Sequence, residues 1–124
     1  MYRRLTFDES SKQHFLFIYE GFLAGGNVAK DTRTGDVKRR ERTIIRALKE
    51  ISVENEAREP YPGSEEHPRE LSAESLANGK KVVVEFEQAS LDLLVRYMES
   101  VPWNMVLVDK AMDAVDFVTA ADKV

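Results

Sequence analysis

The chain has no cysteine, two histidines, one tryptophan and no apolar run long enough to cross a bilayer. Each absence closes a class of explanation. Without thiols there is no disulfide, no thiolate nucleophile and no cysteine-held zinc or iron–sulfur centre. His14 and His67 lie far apart, and a metal site needs several convergent ligands. Glu65 and Glu66 beside His67 therefore read as solvated loop, and neither a metal nor a cofactor is expected. No segment approaches the roughly 20 apolar residues of a membrane helix. The opening Met1-Tyr2-Arg3-Arg4-Leu5-Thr6-Phe7-Asp8 has basic residues with no apolar run behind them. No membrane partner and no leader are expected, and the expected location is cytoplasmic.

Catalytic signatures are missing as well. There is no nucleophile-elbow pattern, and Ser10 and Ser11 serve better as helix caps than as nucleophiles. Gly25-Gly26-Asn27 and Thr34-Gly35-Asp36 match neither a P-loop nor a dinucleotide fingerprint, since Lys30 lacks the preceding glycine and the following Ser or Thr. The chain is expected not to be an enzyme.

What is present is charge, unevenly placed. Of 124 residues, 43% are apolar and 32% charged, which suits one folded domain with a highly charged surface. Residues 1–49 hold 11 Lys and Arg against 6 Asp and Glu, whereas residues 50–124 hold 7 against 16. Such a split fits a basic binding face, an acidic binding face, or two halves that attract each other.

The hydrophobic pattern predicts a strand at residues 1–7, where Met1, Leu5 and Phe7 share a parity. Thr6 with Glu9, or Ser10 with Gln13, makes a capping box for a first helix. Its stripe is Phe15, Ile18, Tyr19, Phe22 and Leu23, with Phe17 outside it and Gly25-Gly26 as the stop signal. Asp36 is placed to cap a second helix running to about Glu54, with Val37, Ile44, Leu48 and Ile51 inward. Residues 55–79 carry Pro60, Pro62 and Pro68 among glutamates and read as an acidic loop, with a helical turn near 72–77.

Val82, Val84 and Phe86 then alternate with Val83, Glu85 and Glu87, the mark of a half-buried strand. Ser90 is placed to cap a third helix with Leu91, Leu94, Val95, Met98 and Val101 inward, ended by Pro102. Asn104 is placed to cap a fourth, with Val108, Ala111, Met112, Val115 and Val118 inward. At an offset of 79 residues Phe7 falls on Phe86, Ser11 on Ser90, and Phe15, Leu16, Tyr19 and Phe22 on Leu94, Val95, Met98 and Val101. Either the halves are related, or repetitive capping chemistry makes them look alike. The expected fold is a single α+β domain over 1–124, mostly α. Two strand–helix–helix halves place four helices on a short two-stranded antiparallel ribbon.

Three places stand out as candidate partner sites. Lys38, Arg42, Arg46 and Lys49 line up at helical spacing with Arg39 and Arg40 beside them, a basic face for phosphates or for an acidic protein. Asp109, Asp113 and Asp116 form an acidic face, too straight a row to wrap an ion. Trp103, in Val101-Pro102-Trp103-Asn104, either wedges the corner between the last two helices or anchors a partner.

The run Val84-Glu85-Phe86-Glu87, the helix carrying Leu91-Asp92-Leu93-Leu94, then Pro102-Trp103 and a closing amphipathic helix resemble small uncharacterised proteins of tailed bacteriophages. The likeness covers residues 80–118, with the Arg40 to Ile51 helix as lesser support. It implies an accessory factor acting on a host or virion protein, and it carries no site residues. The expected function is protein–protein interaction or regulation with a protein partner. The alternatives are a nucleic-acid-binding protein using the basic helix 37–54, or a self-assembling component that forms homo-oligomers.

Overall fold

The computed structural model describes residues 1–29, 33–54, 69–74, 76 and 81–124. In chain order its elements are β1 (Tyr2–Phe7), α1 (Lys12–Ala29), α2 (Gly35–Glu50), β2 (Ser52–Glu54), β3 (Arg69–Leu71), β4 (Val82–Glu87), α3 (Gln88–Ser100), α4 (Val108–Thr119) and β5 (Asp122–Lys123). Among the described residues the fold is α+β and mostly helical, with four helices and a small antiparallel sheet.

Alternation explains the sheet. β1 and β4 pair antiparallel with Leu5 opposite Val84 and Phe7 opposite Val82. This puts Leu5, Phe7, Val82, Val84 and Phe86 on one buried face, where they join a core containing residues from all four helices. Arg4 and Glu85 face each other on the open side, 2.9 Å apart. Leu5 and Val84 are also the counterparts at the 79-residue offset, so a two-fold axis relating the strands would pass through this pair. The helices differ more: α1 has 18 residues and α3 has 13.

The ribbon expected from the sequence is wider by one strand, because β5 adds Lys123 and Asp122 opposite Arg3 and Arg4, giving the order β4-β1-β5. A second ribbon was not foreseen. The helix expected to reach Glu54 stops at Glu50, and Ser52–Glu54 pairs with Arg69–Leu71. Val53 and Leu71 suit a strand as well as a helix, and helical periodicity alone does not separate the two. Of the expected helical turn near 72–77, a turn at residues 73–74 is present, with the Leu76 N–H donating to the Ala73 carbonyl. The proline-rich part of the acidic loop, His67 included, lies outside the described residues.

Three helix starts differ from expectation, and at α1 and α2 the reason is which side chain reaches the free N–H groups. Before α1, the Asp8 carboxylate accepts from the Ser10 and Ser11 N–H groups at 3.0 and 3.1 Å, while Ser11 Oγ accepts from the Asp8 N–H at 2.9 Å. This reciprocal pair replaces Thr6–Glu9 and Ser10–Gln13. Hydrogen bonds from the Ser10 and Ser11 hydroxyls, Ser10 foremost, hold the Asp8 carboxyl below its ordinary pKa. Thr34 rather than Asp36 caps α2, its hydroxyl accepting from the Val37 N–H. Ser90 does not cap α3, which starts two residues earlier, and Asn104 caps the turn leading into α4 by accepting from Val106 and Leu107.

α1 is the central helix. Ten of its residues are buried, including the unbroken run Phe15 to Phe22, so Phe17 is inside along with the expected stripe. The helix runs through Gly25-Gly26 to Ala29, which corrects their reading as a stop. A Cβ on Gly25 would stand 2.2 Å from the Tyr97 carbonyl oxygen, and one on Gly21 would stand 3.0 Å from the Trp103 ring. One turn apart, these glycines let α3 and its exit cross α1 almost backbone to backbone.

Replacing Gly25 by alanine is expected to destabilise the protein by at least about 1–3 kcal/mol through overpacking against an unyielding backbone. Gly26→Ala meets nothing closer than 3.7 Å and is expected to be neutral or to stabilise by up to about 1 kcal/mol. Urea unfolding of the two variants checks the contrast.

Candidate binding surfaces

α2 is held lightly by apolar burial. Ile44 and Leu48 are its fully buried apolar residues, worth about 1.5–3 kcal/mol each, against the many supplied by α1. A polar contact supplements them. Glu41, 8% exposed, accepts a 2.5 Å hydrogen bond from the Tyr97 hydroxyl on α3 and faces Arg33 at 3.1 Å. Burial, reinforced by the Glu41 carboxylate, pushes the Tyr97 hydroxyl up to about 12. The Tyr97 ring also packs on Phe22 of α1 at 5.1 Å, so one side chain ties three helices. Sequence reasoning missed this group, although Glu41 stands three residues before Ile44 and seven before Leu48, on the core-facing side.

A second buried carboxylate, Glu20 on α1, was missed as well. It accepts a 2.6 Å hydrogen bond from the Arg69 N–H and so fastens β3 to the central helix. The Arg69 guanidinium lies 5.7 Å from the centre of the Tyr19 ring, within cation–π range. The available signal was a glutamate inside an otherwise apolar run.

With Ile44 and Leu48 inward, Lys38, Arg39, Arg42, Arg46 and Lys49 occupy an arc of about 100° on the outer side of α2. All five are exposed, and among the described residues none of them makes an ion pair. Their span along the axis is about 17 Å. Arg40 is separated from them. Its guanidinium donates to Glu87 at 2.9 Å and to Ser90 at 3.3 Å, and lies 3.6 Å from Asp36. Glu87 foremost, with Asp36, raises its pKa. The expected six-residue face is thus a five-residue face plus one arginine turned inward to the start of α3. Arg39 and Arg40 also border a groove of about 320 Å³ with Tyr2, Thr43, Glu85 and Glu87.

Asp109, Asp113 and Asp116 are exposed in a row along α4. They do not converge, and among the described residues no three His, Asp or Glu side chains are arranged to hold a metal ion. Asp109 and Asp113 border a shallow cleft with Gln13, His14, Phe17 and Lys110, where His14 stacks on Phe117 at 5.0 Å. Trp103 is half-buried in its corner. Its indole N–H donates to the Met98 carbonyl at 3.0 Å and its ring lies 5.7 Å from that of Phe17, so it wedges α1 against the exit of α3. Met105 and Val106, just beyond, are 89% and 82% exposed.

No helix of the described residues is long and apolar enough to cross a membrane. No family model, curated protein or solved structure matches the chain.

A tyrosine whose pKa is raised on folding stabilises the protein fully below its ordinary value near 10.0, and that contribution is lost as pH climbs through about 12. A tyrosinate absorbance step near pH 12 is therefore expected from Tyr97 in the native protein and is expected to be lost in Tyr97→Phe. The same variant is expected to lose about 1–3 kcal/mol of stability at neutral pH.

Proposed function

We propose that this chain is a non-enzymatic interaction protein that engages an acidic surface of a protein partner through the outer face of α2. The supporting observation is the row of five exposed cations that make no ion pair among the described residues. An arginine with an intramolecular task, Arg40, is already withdrawn from that row. Unpaired like charges on one arc repel one another and weaken their own helix, a cost that an acidic partner would offset. The resemblance to small phage proteins supports an accessory or regulatory role acting on a host or virion protein in the cytoplasm. The acidic row on α4 and the corner at Trp103 with Met105 and Val106 are secondary surfaces for the same kind of partner.

A nucleic-acid ligand is the second reading, favoured by five cations spread over about 17 Å of one helix face with Thr43 beside them. The net charge of -4 and the acidic row on α4 oppose it, since the residues outside α2 hold 12 Lys and Arg against 19 Asp and Glu and repel a polyanion on balance.

The Arg39→Glu, Arg42→Glu, Arg46→Glu triple variant changes only exposed side chains and is expected to keep its circular dichroism and unfolding midpoint. In parallel pull-downs from the native host, wild-type protein is expected to retain a specific acidic protein that the triple variant loses. Equal capture by both sinks the α2 reading. Capture of DNA or RNA alone, with a steep loss between low and physiological salt, replaces it with the second reading.

A further inference from the structure

β4 is the long edge strand of its sheet, with β1 on one side and no strand of the described residues on the other. Its hydrogen-bonding parity can be read directly. The Gln88 N–H donates to the Met1 carbonyl at 3.0 Å, and the register runs Tyr2 to Glu87 through Phe7 to Val82. In an antiparallel ladder, bonded pairs alternate, so residues 82, 84, 86 and 88 bond β1. Val83, Glu85 and Glu87 therefore turn their N–H and C=O groups to the free edge, with side chains on the open face. Val83 is 50% exposed there.

Exposed edges are normally guarded by charges that repel a second strand. The charges here are placed otherwise. Lys81 and Glu85 stand two residues before and two residues after Val83, in the run Lys81-Val82-Val83-Val84-Glu85. When this run is laid antiparallel on itself about Val83, each Lys81 faces the Glu85 of the other copy, twice per pair. Val83 then meets Val83 on the open face, and Val82 meets Val84 on the helix-covered face. The alternatives are worse. Centring on Glu85 sets like charges opposite each other, and centring on Val84 sets Val83 against Glu85 and draws Glu87 from Arg40. Pairing about Val83 uses residues 81–85 and leaves the Glu87–Arg40 contact in place.

We infer that the free edge of β4 is a self-recognition site, at which two copies join antiparallel about Val83 into one continuous six-stranded sheet. The Val83 N–H and C=O exchange hydrogen bonds with their own equivalents across the two-fold axis. On the open face Glu85 then lies between Arg4 of its own chain, 2.9 Å away, and Lys81 of the second copy. The occupant is a second copy because the strand is complementary to its own reversal in both charge and parity. This pairing uses residues 81–85 of β4 and none of the five α2 cations, although Arg39 borders the same groove as Glu85.

Sedimentation equilibrium over a concentration series tests the inference. Wild-type protein is expected to pass reversibly from 14.2 kDa to twice that mass. Lys81→Glu and Glu85→Lys, each creating two like-charge pairs, are expected to weaken the dimer at least about tenfold. The K81E/E85K double variant restores both pairs and is expected to recover to within about threefold of wild type. Val83→Pro removes one outward N–H while sparing the bonds to β1, and is expected to give a monomer with unchanged circular dichroism. The α2 triple variant is expected to dimerise like wild type. A wild-type chain that stays monomeric throughout the series, a double variant no better than the singles, or a dimer that survives Val83→Pro overturns the inference. Lys81 is exposed and precedes the strand, so Lys81→Glu reads association even if Glu85→Lys disturbs the fold.

Discussion

The close crossing of α1 and α3 at Gly25 and Tyr97 is the contact on which the rest of the structure depends. With no side chain at Gly25, the Tyr97 backbone lies where a Cβ would stand. The approach fixes where the Tyr97 side chain goes: its ring against Phe22, its hydroxyl on Glu41. Through that hydroxyl the position of α2 follows from the α1–α3 crossing, because α2 has few large apolar residues of its own to bury. The same crossing brings Gly21 under Trp103 and lets the chain turn sharply into α4.

A consequence is that polar groups hold the periphery while apolar packing holds the centre. Glu41 secures α2 and Glu20 secures β3, each a carboxylate drawn into the core and engaged by a specific donor. Such groups cost more to leave unpaired than their bonds contribute, so they specify a position rather than add bulk stability. Arg40 does similar work on the surface by tying α2 to the start of α3. What remains for interaction is the part of α2 opposite these anchors, and the strand edge at the far side of the sheet from β5.

Much of this was legible in the residues. The alternation in Val82–Glu87 set its buried face correctly, and apolar spacing located all four helices and the inward residues Ile44, Leu48, Leu91, Leu94, Ala111 and Val118. The outward direction of Lys38, Arg39, Arg42, Arg46 and Lys49 followed from the same periodicity. Helix ends were less legible, because Thr34 and Asp8 act as caps through side-chain geometry that several neighbouring residues offered equally well. The split of Ser52–Glu54 from the second helix depends on Arg69–Leu71, a pairing that no local pattern announces.

By itself, then, the sequence determined the class of fold, the faces of its elements and the sign of charge on each face, since these follow from local periodicity. Only the tertiary structure decided that Gly25 is a crossing point rather than a stop, since a missing Cβ has meaning only against what approaches it. It likewise decided that Arg40 belongs to Glu87 while its neighbours stay open, that Glu20 and Glu41 are interior anchors, and that Lys81-Val82-Val83-Val84-Glu85 lies on a free edge. Each of these depends on groups distant in sequence meeting at bonding distance, which periodicity along one segment does not encode.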